Sequence, residues 1–81
     1  MYYVYILQSR KDNKFYIGST SNVESRLKFH NAGRQRSTRH RIPFEIVRVE
    51  KYESKSEALK REKQIKSYKG GEAFRKLIKG M

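Results

Sequence analysis

Apolar and polar positions along the chain fall into six segments with two different periods. Tyr2 to Gln8 is rich in aromatic and β-branched residues, the composition of a strand. Val4 and Ile6 point to one face and Tyr3, Tyr5 and Leu7 to the other, so both faces of this strand are covered. Ser9 to Lys14 supplies turn residues, Asp12-Asn13 among them. Phe15 to Thr20 reads as a second strand, antiparallel to the first. Ser21-Asn22-Val23-Glu24 has the spacing of a capping box, with Ser21 as the cap. A helix over about residues 22–32 follows, with Val23 and Leu27 at i, i+4 and Gly33 placed for a left-handed cap. Residues 34–42 form a basic loop without an acidic residue. After Pro43 comes a third strand, Phe44 to Tyr52, with Phe44, Ile46 and Val49 inward.

Ser54-Lys55-Ser56-Glu57 is a second capping box, and its helix runs to Lys66 or Lys69 with Ala58, Leu59 and Ile65 on one side. Gly70-Gly71 breaks it, and Glu72 to Lys79 makes a short last helix with Phe74, Leu77 and Ile78 at i, i+3, i+4. The order β-β-α-β-α-α predicts an α/β (α+β) sandwich, a three-stranded antiparallel sheet flanked by helices. At 81 residues this is one domain, residues 1–81, with a thin core drawn from 36% hydrophobic residues.

Charge changes the picture most. Twenty Lys and Arg against eight Asp and Glu leave +12. Self-repulsion of that size opposes compaction, so a polyanionic partner is the natural reason for it. Nucleic acid fits best, because each neutralised phosphate releases condensed counterions. A membrane surface fits poorly, for no segment is a long basic amphipathic helix with Trp or Phe on one side. No apolar run reaches the roughly 18 residues of a span, and no signal-peptide pattern opens the chain, so the cytoplasm is the default location. With no cysteine, neither a disulfide nor Cys-ligated zinc staples the fold.

Some polar residues fall on faces that should be buried. At 100° per residue, Arg26 and His30 lie on or beside the Val23–Leu27 stripe of the first helix. Glu62 lies among Ala58, Leu59 and Ile65 on the inward face of the second. Taken singly, Glu62 reads as a salt-bridge partner of Arg61 or Lys66. An Arg, a His and a Glu facing one thin core are costly unless they pair or line a cleft. A four-residue loop joining Gln8 to Asn13 gives paired strand residues an odd sum, which sets Tyr5, Tyr16 and Gly18 on one face. There the missing side chain of Gly18 leaves room for a ligand. Two phenols, a guanidinium, an imidazole and a carboxylate converging on one pocket are an inventory for phosphodiester cleavage.

In register, these residues resemble the GIY-YIG nuclease superfamily, over essentially the whole chain and closest to its small standalone bacterial branch. Tyr3-Val4-Tyr5 matches the first half-motif and Tyr16-Ile17-Gly18 the second, eleven residues from tyrosine to tyrosine. Arg26 stands eight residues after Gly18, His30 four further, and Glu62 in Arg61-Glu62-Lys63-Gln64-Ile65 matches the family's metal-binding glutamate. Tyr3 replaces the first glycine. The asparagine that many members carry near the C-terminus has no counterpart after Asn31; Glu72 stands in that region.

The resemblance implies a metal-dependent endonuclease with one divalent ion, Mg²⁺ or Mn²⁺, held by Glu62 and waters. Tyr5 would help deprotonate the attacking water, its pKa lowered by neighbouring cations. Arg26 would stabilise charge on phosphorus, and Tyr16 and His30 would position water or phosphate.

Arg34, Arg36, Arg39, His40 and Arg41, with Lys63 on the second helix, are expected to grip phosphates. No base-reading module is recognisable. The expectation is therefore weakly sequence-specific cleavage of DNA rather than RNA, open to structure selectivity, to a role in DNA repair and to a protein partner that supplies specificity. Two other classes compete: a non-catalytic nucleic-acid-binding module of the same fold, and a protein-interaction adaptor, which would need an exposed apolar patch.

Overall fold

A strand with apolar side chains on both faces belongs in the middle of a sheet, and β1 (Tyr2–Ser9) takes that place. In the computed structural model, which describes residues 1–79, β1 pairs antiparallel with β2 (Phe15–Thr20) and β3 (Phe44–Tyr52) in the order β2-β1-β3. Helix α1 (Val23–Asn31) covers one face; α2 (Lys55–Ser67) and α3 (Glu72–Lys79) cover the other. The predicted order of elements and the antiparallel sheet are those observed.

Two cores result, one on each face of β1. Val4 and Ile6 pack against Ala58 and Ile65 of α2 and Phe74 of α3. Tyr5 and Leu7 pack with Phe44 beneath Val23 and Leu27 of α1. Burying each large apolar side chain contributes about 1.5–3 kcal/mol. Between α1 and β3, the Asn31 amide donates to the Phe44 carbonyl at 3.1 Å and accepts from its N–H at 2.7 Å.

The hairpin closes two residues later than its turn chemistry suggests: Gln8 pairs with Phe15, and the turn is held by Ser9 N–H to the Lys14 carbonyl at 2.9 Å. Paired numbers then sum to 23 rather than 21, still odd, so every side chain keeps its predicted face. The Ser9 hydroxyl is the reason. Fully buried, it accepts from the Lys11 and Asp12 N–H groups and donates to the Arg41 carbonyl, so the turn is built around it.

Other expectations are corrected. Asn22, not Ser21, caps α1, its side chain accepting from the Ser25 N–H at 3.0 Å. The Thr20 hydroxyl accepts from the Asn22 N–H and holds the chain extended one residue further. Ile46 and Val49 are exposed, because β3 is an edge strand. A bulge between the partners of Ile6 and Leu7 turns Val47 toward the α2–α3 core instead. Leu59 is also exposed; α2 buries the narrower stripe Ala58 and Ile65. Ser54 caps α2 as expected, accepting from the Glu57 N–H at 3.2 Å. Residues 34–42 contain a 3₁₀ turn at Arg39–Arg41 and one buried side chain, Thr38.

Candidate active site

Opposite Tyr5 on the central strand stands Gly18 of β2. A Cβ on Gly18 would lie 2.5 Å from the Tyr5 hydroxyl and 2.7 Å from its Cζ, so only glycine lets the phenol lie across β2. The space expected for a ligand is filled by the tyrosine itself. Tyr5 is 3% exposed. Tyr16, on the same face, stacks on it with ring centroids 6.3 Å apart.

His30 reaches this pair from the last turn of α1. It is fully buried, with its ring 4.7 Å from Tyr16 and its Nε2 3.4 Å from the Tyr5 hydroxyl. Its Nδ1 lies 3.2 Å from the Thr38 hydroxyl, which lies 3.5 Å from the Gln35 carbonyl. The Gln35 side-chain amide in turn donates to the Tyr16 hydroxyl at 3.3 Å. Gly33, at φ +73°, makes the left-handed turn that swings residues 34–42 back over these rings. Two phenols, an imidazole and the loop thus share one polar network inside an aromatic pocket.

Burial sets the protonation states. Desolvation holds the His30 imidazole below its usual pKa, and the Arg26 cation adds to this, so it is neutral at pH 7. Desolvation pushes the Tyr5 phenol well above its usual value, Tyr16 adds to the rise, the Arg26 cation opposes it and the Glu62 carboxylate adds again. The lowered phenol expected from neighbouring cations is therefore not what the free protein holds: Tyr5 keeps its proton.

Arg26 lies at the rim. Exposed on α1, its guanidinium sits 5.3 Å from the centre of the Phe29 ring. Glu62 comes from the other face of the sheet. Its carboxylate accepts from the Ser19 hydroxyl at 2.6 Å and pairs with Lys66 at 2.7 Å, the salt bridge that its spacing anticipates. The side chain is only 16% exposed. Ser19 follows Gly18, so the phenol of Tyr5 and the carboxylate of Glu62 meet adjacent residues of edge strand β2 from opposite sides. Among the described residues, no three His, Asp or Glu side chains gather into a metal cage.

The basic residues divide. Arg34, Arg36, Arg39 and His40 are exposed on the loop that covers the aromatic pocket. Lys63 is exposed on α2 beside Glu62, in a shallow depression shared with Lys55, Leu59 and Lys60. Among the described residues, none of these Arg and Lys side chains, nor Arg26, makes an ion pair. Arg41 departs from the expected phosphate-gripping role: it pairs with Asp12 at 3.1 Å, donates to the Phe15 carbonyl and packs over Phe44. Thr38, Gln35 and Ser19 escape sequence reasoning, since a small polar residue in a basic loop or strand carries no periodic signal.

A family model described as the GIY-YIG catalytic domain matches residues 1–73. A UPF0213 protein of Staphylococcus haemolyticus is 47% identical over 68 residues, 83% of this chain and 82% of that one. One of Natronomonas pharaonis is 48% identical over 67 residues, 82% of this chain and 78% of that one. The solution structure of the UPF0213 protein BH0048 from Bacillus halodurans superposes with a TM-score of 0.50 at 36% identity, over 91% of this chain and 92% of that one. With the half-motif tyrosines on facing strands and Gly18 under Tyr5, the chain belongs to the GIY-YIG family of nucleases.

Proposed function

We propose that the protein is a divalent-metal-dependent endonuclease that hydrolyses phosphodiester bonds in DNA, gripping it through phosphates with weak sequence preference. One observation carries this reading: the buried Tyr5 phenol, with the His30 imidazole behind it, and the half-buried Glu62 carboxylate meet adjacent residues of edge strand β2 from opposite sides of the sheet. Stability alone does not call for such a set, because burying these groups costs free energy.

Glu62 fits a metal role by its chemistry. Ser19 and Lys66 each take one direction of a carboxylate that has about four acceptor sites. Lys66, itself half exposed, is free to swing aside. One carboxylate plus waters is a donor set suited to Mg²⁺, which keeps much of its hydration. Bound by Glu62, the ion would polarise a phosphoryl oxygen and offset charge on the leaving oxygen.

The chain's own groups handle the proton. A water aligned on the phosphorus gives its proton to the Tyr5 oxygen as the phenolic proton passes to His30 Nε2. The water oxygen bonds to phosphorus, the bond to the leaving sugar oxygen breaks, and solvent protonates the product alkoxide. This relay suits a phenol whose burial forbids a free phenolate. Arg26 offsets the negative charge that grows on the phosphoryl oxygens. Tyr16 holds the Tyr5 ring, and Arg34, Arg36, Arg39, His40 and Lys63 contact flanking phosphates.

The test is incubation with end-labelled single-stranded, duplex and branched DNA, and the same sequences as RNA, with Mg²⁺, Mn²⁺ or chelator. DNA fragments that form with a metal and disappear with chelator are expected. Retarded but intact DNA in every lane would leave only a binding module; cleavage of RNA alone would overturn the substrate.

A further inference from the structure

We propose that Thr38 is a positioning residue that fixes His30 in the tautomer able to take a proton from Tyr5, an inference that rests on the relay proposed above. The loop around it is solvent-facing: Arg34, Arg36, Ser37, Arg39 and His40 are all exposed. Thr38 turns furthest in, to 2% exposure, and its hydroxyl meets the buried His30 Nδ1.

Proton counting sets the direction. A hydroxyl has one proton to give and a neutral imidazole has one N–H. If the Thr38 proton goes to the Gln35 carbonyl, the Thr38 oxygen accepts from Nδ1–H, and Nε2 carries the lone pair toward Tyr5. Both hydroxyls and both ring nitrogens are then satisfied. In the reverse arrangement Nε2–H would point at the Tyr5 oxygen. The phenolic proton would then have no acceptor among the described residues, a costly state for a group this buried. The second ring nitrogen of a histidine commonly decides what the first can do.

The same loop thus does two jobs. Its arginines face the solvent where a phosphate backbone would lie, while its threonine sets the proton acceptor and its glutamine holds the Tyr16 hydroxyl.

The experiment is a long-range ¹H–¹⁵N spectrum of the imidazole nitrogens, run beside cleavage kinetics. The protein has two histidines, so His40→Gln leaves His30 alone in the spectrum. The expected result is a protonated Nδ1 and a bare Nε2 in the otherwise wild-type protein. Thr38→Val, isosteric but without the hydroxyl, should mix the tautomers and lower kcat about 10- to 100-fold at unchanged KM, the range seen for the hydrogen-bond partners that orient metal-bound histidines. Thr38→Ser should restore both. A protonated Nε2 in the wild type, or a Thr38→Val spectrum unchanged from it, would overturn the proposal. If Thr38→Val does not fold, the wild-type spectrum and Thr38→Ser decide the matter. The expected spectrum from a protein that cleaves nothing would uphold the tautomer and overturn the nuclease reading.

Discussion

The two faces of the sheet solve the same problem of burying a thin layer, and they solve it differently. Under α2 and α3 the core is Val4, Ile6, Ala58, Ile65 and Phe74, and the buried charge beside it is fully matched. Glu50 of β3 accepts from Arg61 at 2.8 Å, from Arg48 at 2.8 Å and from the Tyr52 hydroxyl at 2.8 Å. Under α1 the aliphatic content is lower, and the interior holds two phenols, an imidazole and a threonine hydroxyl, linked by hydrogen bonds of 3.2–3.5 Å. Short charge-assisted bonds with complete pairing belong to a face built for stability. Longer bonds between neutral groups, beside arginines that make no ion pair among the described residues, mark the face that holds most of the proposed site.

That contrast can be broken experimentally. The largest effect is expected from Glu62, which is rooted on the stable face but serves the other in the proposed mechanism. Glu62→Ala should reduce metal-dependent cleavage to the level seen with chelator, while DNA binding and the melting temperature change little. Cleavage that survives both the substitution and the chelator would remove Glu62 and the metal from the chemistry.

Glu50→Ala should do the opposite. Breaking this half-buried pair should destabilise the fold by about 3 kcal/mol, read by urea unfolding, with the cleavage rate per folded molecule unchanged. The same group gives the acid behaviour. Burial raises the Glu50 carboxyl, but hydrogen bonds from Arg61, Tyr52 and Arg48 together outweigh it and bring its pKa down to about 2 from 4.5. A carboxyl held low stabilises the fold above its unfolded pKa, and that contribution disappears as pH falls from about 4.5 toward 2. A Glu50→Ala protein whose stability follows the same acid profile as wild type would assign the acid loss to other groups.

On the α1 side, Tyr5→Phe and Arg26→Ala should each slow cleavage about 100-fold, with little change in DNA affinity for Tyr5→Phe. Rates within twofold of wild type would confine both residues to packing. The smallest effect concerns the loop. If about five phosphates are neutralised, log affinity for duplex DNA falls against log salt with a slope near −4.5, and Arg36→Ala should reduce the slope by about 0.9. A flat salt titration would give the +12 charge another purpose.

Much of the fold and the residues of the candidate site were legible because they follow short-range rules. Hydrophobic period separates strands from helices, Ser54 and the Gly70-Gly71 pair mark helix ends, and residue parity sends Tyr5, Tyr16 and Gly18 to one face even when the hairpin slips by two. The i, i+4 step from Arg26 to His30 likewise sets both beside Val23 and Leu27. What local rules do not carry is what waits on the other side of a contact. Ile46 and Val49 look like core until the strand order makes β3 an edge. Arg41 looks like a free cation until Asp12 and the Phe15 carbonyl meet it. Gly18 looks like space for a ligand until the Tyr5 ring fills it. Tyr5 looks like a phenol to be acidified by cations until burial outweighs them. Thr38 shows no signal at all, because its partner lies on another element and one hydroxyl creates no period. Sequence alone determined the elements, their faces and where the candidate residues fall on them, since these depend on backbone geometry repeated every two or 3.6 residues. Tertiary structure alone decided exposure, pairing and protonation, which depend on desolvation and on neighbours distant along the chain.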